Sequence, residues 1–287
     1  MSDDPHVFSK TLSMTSYWMP VHYDITAWAE HAPFASWLID AMRPRTVLEL
    51  GTHNGFSFFA MAEAARRLGL PTVLTAIDGW VGDDQAGYYG DEVFEKVKTI
   101  SETYYPDTTR LIRAFFADAA PQIEDGSVDL LHIDGRHGYE DVREDFETYR
   151  SKLSERGVVI FHDTHEFQPG FGVHRLWSEV ASIAPSFEFH HGHGLGVLAL
   201  GPKAPVEVLD FIAEAHRDPD GVRETYRRLG VEVDARADLP MLRQTVADFR
   251  ASTSWRITAP LRAVSEATKG LRGRRAAARP SRQNRAS

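Results

Sequence analysis

Four residues suited to proton transfer and cation binding stand at two similar places in the chain. Asp134 and His137 follow the run VDLLHID (128–134), and His162 and Asp163 close the run GVVIFHD (157–163). Both runs are short, apolar and rich in β-branched residues, the pattern of a strand buried on both faces. The charged segment between them is long enough for a crossover helix, so the two strands should be parallel neighbours with Asp134 and Asp163 side by side. In an open parallel sheet, ligands collect beyond the carboxyl ends of the strands. Two carboxylates there suit a hard cation, and a nearby imidazole suits proton removal near neutral pH. His132, two before Asp134, shares its strand face and reads as a satisfied core histidine.

These residues need a scaffold, and the first half of the chain supplies one. TVLELGTHNGFSFFAMAEAARRLG (46–69) reads as strand, glycine turn and amphipathic helix. Gly51 and Gly55 let the backbone turn tightly and approach a ligand, while the amides that open the helix, with Thr52 and Asn54, face it. The spacing E-x-G-x-x-x-G from Glu49 differs from the dinucleotide fingerprint G-x-G-x-x-G, and no Lys-Ser/Thr pair follows to make a phosphate loop. The next strand, TVLTAID, ends on Asp78, where nucleotide-binding sheets hold a ribose diol. Trp80 then covers a base or lines the pocket. TRLIRAFFADAA (109–120) is a third strand ending near Asp118, which is placed to meet the base.

Further elements complete the sheet. An aromatic segment (11–44) contains a helix from Ala27 to Met42, ended by Arg43-Pro44, and Tyr17, Trp18, Trp28 and His31 suit an acceptor lid. Gly82 to Gly90 reads as a second lid loop and Asp91 to Glu102 as a helix. Tyr139 to Leu153 is the crossover helix, with Val142 and Phe146 on its buried face and Asp141, Glu144, Asp145 and Glu147 on its solvated one. FEFHHGHGLGVLALG (187–201) is an antiparallel hairpin whose His190, His191 and His193 cap the turn and border the acceptor pocket. The expected fold is therefore α/β: a Rossmann-like, doubly wound, mostly parallel seven-stranded sheet with a C-terminal antiparallel hairpin.

Charge separates the ends of the molecule. The formal net charge is -9, yet Arg250 to Ser287 holds ten Lys/Arg and one acid, leaving 22 bases against 40 acids before it. An acidic body argues against nucleic acid as a partner. The basic tail, with Trp255, Ile257 and Leu261, reads as disordered or as a peripheral contact to an anionic membrane surface. The polar helices before it suit peripheral packing or a homo-oligomer contact. There are no cysteines, hence no disulfide or thiolate metal site. Without an apolar leader or span, a cytoplasmic protein is expected, reaching the inner membrane surface through its tail.

A nucleoside-binding order without a phosphate-gripping lysine fits S-adenosylmethionine. Here the chain resembles the class I SAM-dependent methyltransferases, and within them a bacterial group with I-D-G-x-H-x-Y-E, D-F, G-V-V-x-F-H-D-T, F-G-V, W and H-G-x-G-L-G-V in that order, over about Tyr17 to Gly201. It is similar to metal-dependent sugar O-methyltransferases of natural-product pathways and surface-polysaccharide clusters. The resemblance implies a cofactor site at Glu49, Gly51, Thr52, Asn54, Gly55, Asp78, Trp80 and Asp118. It also implies a divalent metal, magnesium or manganese, on Asp134, His162 and Asp163, with His137 as base beside Asp134. His162 stands where that family has an acid, which tilts the donor set toward manganese, iron or zinc. A sugar, glycan or lipid-linked saccharide is the implied acceptor. The corresponding segments are residues 1–45 (aromatic helical segment and lid), 46–202 (SAM-binding methyltransferase domain), 203–250 (helical extension) and 251–287 (basic tail). Two other classes fit parts of the pattern: a non-heme iron oxygenase built on His132, Asp134 and His162, and a catalytically silent methyltransferase-like assembly protein.

Overall fold

The computed structural model describes residues 10–24, 26–83 and 87–259. Two short 3-10 turns, Met14–Tyr17 and Ala29–His31, lead into α1 (Ala32–Met42), which ends on a left-handed Arg43 ahead of Pro44. The chain continues through β1 (Thr46–Leu50), α2 (Phe56–Arg67), β2 (Val73–Asp78), β3 (Gly82–Asp83), β4 (Gly87–Tyr88), α3 (Asp91–Tyr104), β5 (Thr109–Arg113) and α4 (Phe116–Ala119). It then forms β6 (Val128–Ile133), α5 (Tyr139–Tyr149), β7 (Leu153–His162), α6 (Val173–Val180), β8 (Ser186–Phe189), β9 (Leu195–Leu198), α7 (Val206–Ala215), α8 (Pro219–Ala251) and α9 (Thr253–Ile257).

Seven strands form one sheet in the order β5-β2-β1-β6-β7-β9-β8, and β3 pairs with β4 as a separate ribbon. The first five of that order run parallel, and β9 joins antiparallel to β7 and β8. This is the doubly wound, mostly parallel sheet with a C-terminal hairpin expected from the sequence. Its central strands, β1 and β6, are almost wholly buried because both faces are covered. Every residue of β6 is buried, and alternation divides them: Leu130 joins one core with Val158 and Ile160, while Leu131 joins the other with Val159 and Phe161. Each such side chain contributes about 1.5–3 kcal/mol by leaving water.

α1, α2, α7 and the start of α8 cover the first face; α5 and α6 cover the second. The C-terminal helices are therefore not a peripheral layer, at least as far as Val233. Phe211, Tyr226 and Val233 are fully buried, and Phe211 packs on Phe34, Trp37 and Phe189. Phe34 and Trp37 thus belong to the core. The chain divides into two compact units, Met1–Ala237 and Asp238–Ser287. In the second, Phe249 and Trp255 meet ring to ring at 4.8 Å. The expected basic tail lies, from residue 260 onward, outside the described residues, as do residues 84–86 of the expected lid loop. Among the described residues no helix is long and apolar enough to cross a membrane.

Register sets up the site. Leu50 pairs with Ile77 on one side and Ile133 on the other, and Ile133 pairs with Phe161. One residue further on, Gly51, Asp78, Asp134 and His162 form a row along the carboxyl edge of the sheet. Asp134 is therefore level with His162, and Asp163 stands one residue beyond. The Asp134 amide donates to the Leu50 carbonyl at 2.9 Å, and the Gly51 amide to the Ile77 carbonyl at 3.0 Å. Gly51 has φ +85, and a Cβ there would overlap the Asp134 carbonyl oxygen and lie 2.6 Å from its carbon. Gly69 also has a positive φ but nothing within 4 Å of an added Cβ. Gly69→Ala should cost roughly 1–2 kcal/mol, the left-handed penalty alone. Gly51→Ala should cost several-fold more, read as the difference in urea midpoints. Equal losses at the two positions would show that the β1–β6 contact does not constrain the fold.

Candidate active site

A cavity of about 570 Å³ opens along that edge, lined by the loops after β1, β2, β5, β6 and β7 and by His193 of the hairpin turn. In its first half the glycine loop closes on Asp78. The amides of Thr52 and His53 both donate to Asp78 Oδ2 at 2.8 Å, and the Trp80 amide donates to Oδ1 at 2.7 Å. Gly51, Thr52, Asn54 and Asp78 line the cavity, and the Thr52 hydroxyl is buried with no hydrogen-bond partner. These features fit a cofactor of the expected kind: a close-approach glycine, an orphan hydroxyl and a carboxylate with lone pairs to spare.

Four other expected cofactor residues stand elsewhere. Trp80 is fully buried behind the loop, 4.9 Å from the Phe94 ring, and its indole donates to the His53 carbonyl at 3.0 Å. Glu49 is fully buried in the sheet. Gly55 caps α2 with φ +84, and a Cβ there would meet Phe59 Cε2 at 2.6 Å. Its glycine is required by conformation and packing, away from the cavity wall. Asp118 is exposed on α4, because β5 stops at Arg113 and the chain turns into a helix before reaching it. Phe115 and Phe116 reach the cavity in its place, joined from α5 by Asp141, Glu144 and Asp145. Asp145, expected on the solvated face of α5, is half-buried. No sequence signal separates it from its acidic neighbours, since its partial burial comes from its place beside Gly135 of the loop after β6.

The second half holds the paired acids. His162 Nδ1 lies 3.2 Å from Asp134 Oδ1 and 3.4 Å from Asp163 Oδ2. His137 Nε2 lies 3.0 Å from Asp163 Oδ2 and 3.9 Å from Asp134 Oδ1. Consecutive strand residues point to opposite faces, so His162 and Asp163 share a site only because Asp163 leaves strand geometry, with φ +61. His162 Nε2–H donates to the Gly192 carbonyl at 3.0 Å, which also accepts from His31 Nε2 at 3.0 Å. His137 is held flat against Phe171, with centroids 4.8 Å apart and planes at 8°. Glu166 and Gln168 line the same side with His193, whose Nδ1 donates to Glu166 Oε2 at 2.7 Å.

Electrostatics follow from this packing. Burial alone would raise Asp134, but the His162 charge and the facing imidazoles hold it well below the carboxylate range. Burial likewise opposes ionisation of Asp163, which His162 and His137 bring down to about 2. Burial would lower His137, yet Asp134 and Asp163 raise it to about 10; the same acids raise His162 well above the usual imidazole range. In the protein alone, two protonated imidazoles thus neutralise two carboxylates. The donor set also fits a divalent metal: ligand atoms of Asp134, His162 and Asp163 lie within 4.8 Å of one another. The Gly192 carbonyl fixes His162 as its neighbours fix a metal-ligating histidine, leaving Nδ1 toward the acids.

His132 is not available to such a centre. Its Nδ1–H donates to Glu49 Oε2 at 2.8 Å and its Nε2 accepts from the Trp28 indole at 3.2 Å. The two-histidine, one-carboxylate set of an iron oxygenase therefore lacks one member. Of the expected aromatic lid, Trp28 lines the cavity and His31 is wholly buried behind it, whereas Tyr17 is half exposed and Trp18 stacks under Arg67.

Asp145 gives this cavity a pH signature. Burial, with Asp141 and Glu144 beside it, raises its carboxyl to about 7. The folded state then binds a proton that the unfolded state has lost, so stability declines as pH rises from about 4 to about 7 and levels off above. Asp145→Asn should remove that slope, gaining at pH 8 and not at pH 4. The gain is at most about 4 kcal/mol at about 1.4 kcal/mol per unit, and less where water reaches the side chain. Urea unfolding of both proteins at the two pH values measures it; a constant difference between them would rule the assignment out.

Residues 48–164 match the family model described as a methyltransferase domain. The uncharacterized protein y4gI of Sinorhizobium fredii is 46% identical over 200 residues, covering 70% of this chain and 22% of its own. The uncharacterized protein R132 of Acanthamoeba polyphaga mimivirus is 25% identical over 127 residues, 43% of this chain and 53% of its own. The chain thus spans about a fifth of one curated relative and about half of the other. Among solved structures, an O-methyltransferase from Bacillus cereus in complex with SAH is 15% identical with a TM-score of 0.46, covering 63% of this chain and 84% of that one. The O-methyltransferase TomG from Streptomyces achromogenes, in complex with SAM, is 16% identical with a TM-score of 0.45, covering 70% and 100%. The strand order, with its antiparallel last strand, is that of a Rossmann-like, mostly parallel sheet.

Proposed function

We propose that this protein transfers a methyl group from S-adenosylmethionine to a hydroxyl of a sugar or glycan, with a divalent metal on Asp134, His162 and Asp163. The observation that carries this reading is the contact between two half-sites: the cofactor-type loop at Gly51 touches the main chain of Asp134, the first of the paired acids. Methyl transfer requires a sulfonium carbon and an acceptor oxygen to be held in line within about 3–3.5 Å. A single cavity with both halves in contact supports that geometry.

On this reading Gly51, Thr52 and Asn54 receive the amino-acid part of the cofactor and Asp78 accepts from its ribose hydroxyls. Phe115 and Phe116 sandwich the base, and Asp145 meets its edge in the role expected of Asp118. Glu49 and Trp80 support the loop from behind. A cation on the paired acids would supply positive charge that favours the ionised acceptor hydroxyl. His137 Nε2 is the group to receive the proton, and it gains a free lone pair once the carboxylate charge that protonates it is taken up. The acceptor wall favours a polyhydroxylated ring: Glu166, Gln168 and His193 offer hydrogen bonds, Trp28 and Phe171 apolar faces. A lipid-linked saccharide is the further proposal, with the basic tail drawing the enzyme to an anionic membrane surface.

Calorimetry with S-adenosylhomocysteine and transfer of labelled methyl to cell-surface glycan test this. Wild-type protein should bind the product, and Asp78→Ala should bind it at least tenfold more weakly, the loss expected for hydrogen bonds to a charged group. Asp134→Ala should retain binding within a few-fold while transfer falls about 10²–10³-fold, as for loss of an electrostatic stabiliser. Absence of product binding by the wild type would sink the reading; transfer only to acceptors without sugar would sink the sugar assignment.

A further inference from the structure

A second group of metal-donor side chains stands outside the proposed methyl-transfer site. Glu188 lies on β8, His190 just follows it, and His165 sits two residues past Asp163. Glu188 Oε2 is 3.5 Å from His190 Nε2, and Oε1 is 3.8 Å from His165 Nδ1. The ligand atoms of all three lie within 4.8 Å of one another. The carboxylate-to-imidazole distances exceed hydrogen-bond length. They suit shared coordination, since tetrahedral ligands at about 2.1 Å from one ion stand about 3.4 Å apart.

The two imidazoles are stacked. Their rings lie parallel, with centroids 4.1 Å apart and planes at 7°. Two imidazolium cations would repel at that separation, so the stack offers at least one neutral nitrogen. Both side chains are more than a third exposed, so a tilt of the rings brings their lone pairs together and leaves a position for water. Arg223, the nearby cation, is turned to the Glu188 carbonyl at 2.9 Å and to Asp220 at 3.5 Å.

We propose that His165, Glu188 and His190 bind a divalent transition-metal ion of the zinc type, separate from Asp134, His162 and Asp163. Two imidazoles and one carboxylate select zinc, cobalt or nickel over magnesium. The ion clamps two loops that form the acceptor side of the cavity. The His165 amide already donates to the His193 carbonyl at 2.8 Å, and His193 pairs with Glu166. A metal bridge from His165 to β8 fixes the loop that presents Glu166 and Gln168 against the hairpin that presents His193.

The test counts ions and needs no activity. Tag-free full-length protein is stripped with chelator, loaded with Zn²⁺ and analysed for bound metal, then titrated with Co²⁺ for its visible spectrum. Wild type should hold two ions, the Glu188→Gln/His190→Asn pair one, and Asp134→Asn/Asp163→Asn one. Zn²⁺ should raise the melting temperature of Asp134→Asn/Asp163→Asn, and adding His165→Gln should cancel that rise. A wild type with one ion, lost in the Glu188→Gln/His190→Asn pair, supports this site while removing the metal from the proposed methyl-transfer centre. Equal metal content in wild type and Glu188→Gln/His190→Asn, with circular dichroism showing both folded, overturns the proposal.

Discussion

The contact between Gly51 and Asp134 is the constraint on which the site depends. Strands β1 and β6 are parallel neighbours, and their ends approach so closely that a single added carbon would overlap the Asp134 carbonyl. The loop with the features of a cofactor cradle and the loop that begins the acid cluster therefore share backbone. Neither half can shift without moving the other. Rigid strands on both sides, buried on both faces, make this contact a fixed distance.

Backbone strain is concentrated along the same edge. His53, Trp80, Asp163 and His193 take left-handed conformations that non-glycine residues rarely adopt, and each lies at or next to a cavity-lining loop. Asp163 shows the consequence most clearly. In strand geometry its carboxylate would point to the face opposite His162, and the three-residue donor set would not exist. The turn at one residue converts two adjacent side chains into partners, and the packed sheet below holds that turn in place.

Buried polar groups link the aromatic N-terminal segment to the chemistry. Trp28 donates to His132, His132 donates to Glu49, and His31 shares the Gly192 carbonyl with His162. Such a chain costs stability when broken, since each member left unpaired in the core loses about 1–3 kcal/mol. The segment therefore acts as a support: it fixes the tautomer of His132 and the orientation of His162. Trp28 alone of its larger aromatics reaches the cavity, while Phe34 and Trp37 are taken into the core by α7 and α8.

The apolar runs, glycine spacing and acid-terminated strands of the sequence were enough to establish the alternation of elements, the parallel sheet and its hairpin. They also placed Asp78, Asp134, His137 and His162 at one edge. Periodicity and turn chemistry are local, and adjacent positions report them faithfully. Which of those residues face the cavity was decided only by tertiary structure. Glu49 and Trp80 lie behind the loop, Asp118 is carried away by an early helix, and Asp145 is half-buried beside the loop after β6. Orientation at a strand end depends on register and on single left-handed residues such as Asp163, and burial depends on partners supplied by other elements. Neither is written in the local pattern, because both arise where distant segments meet.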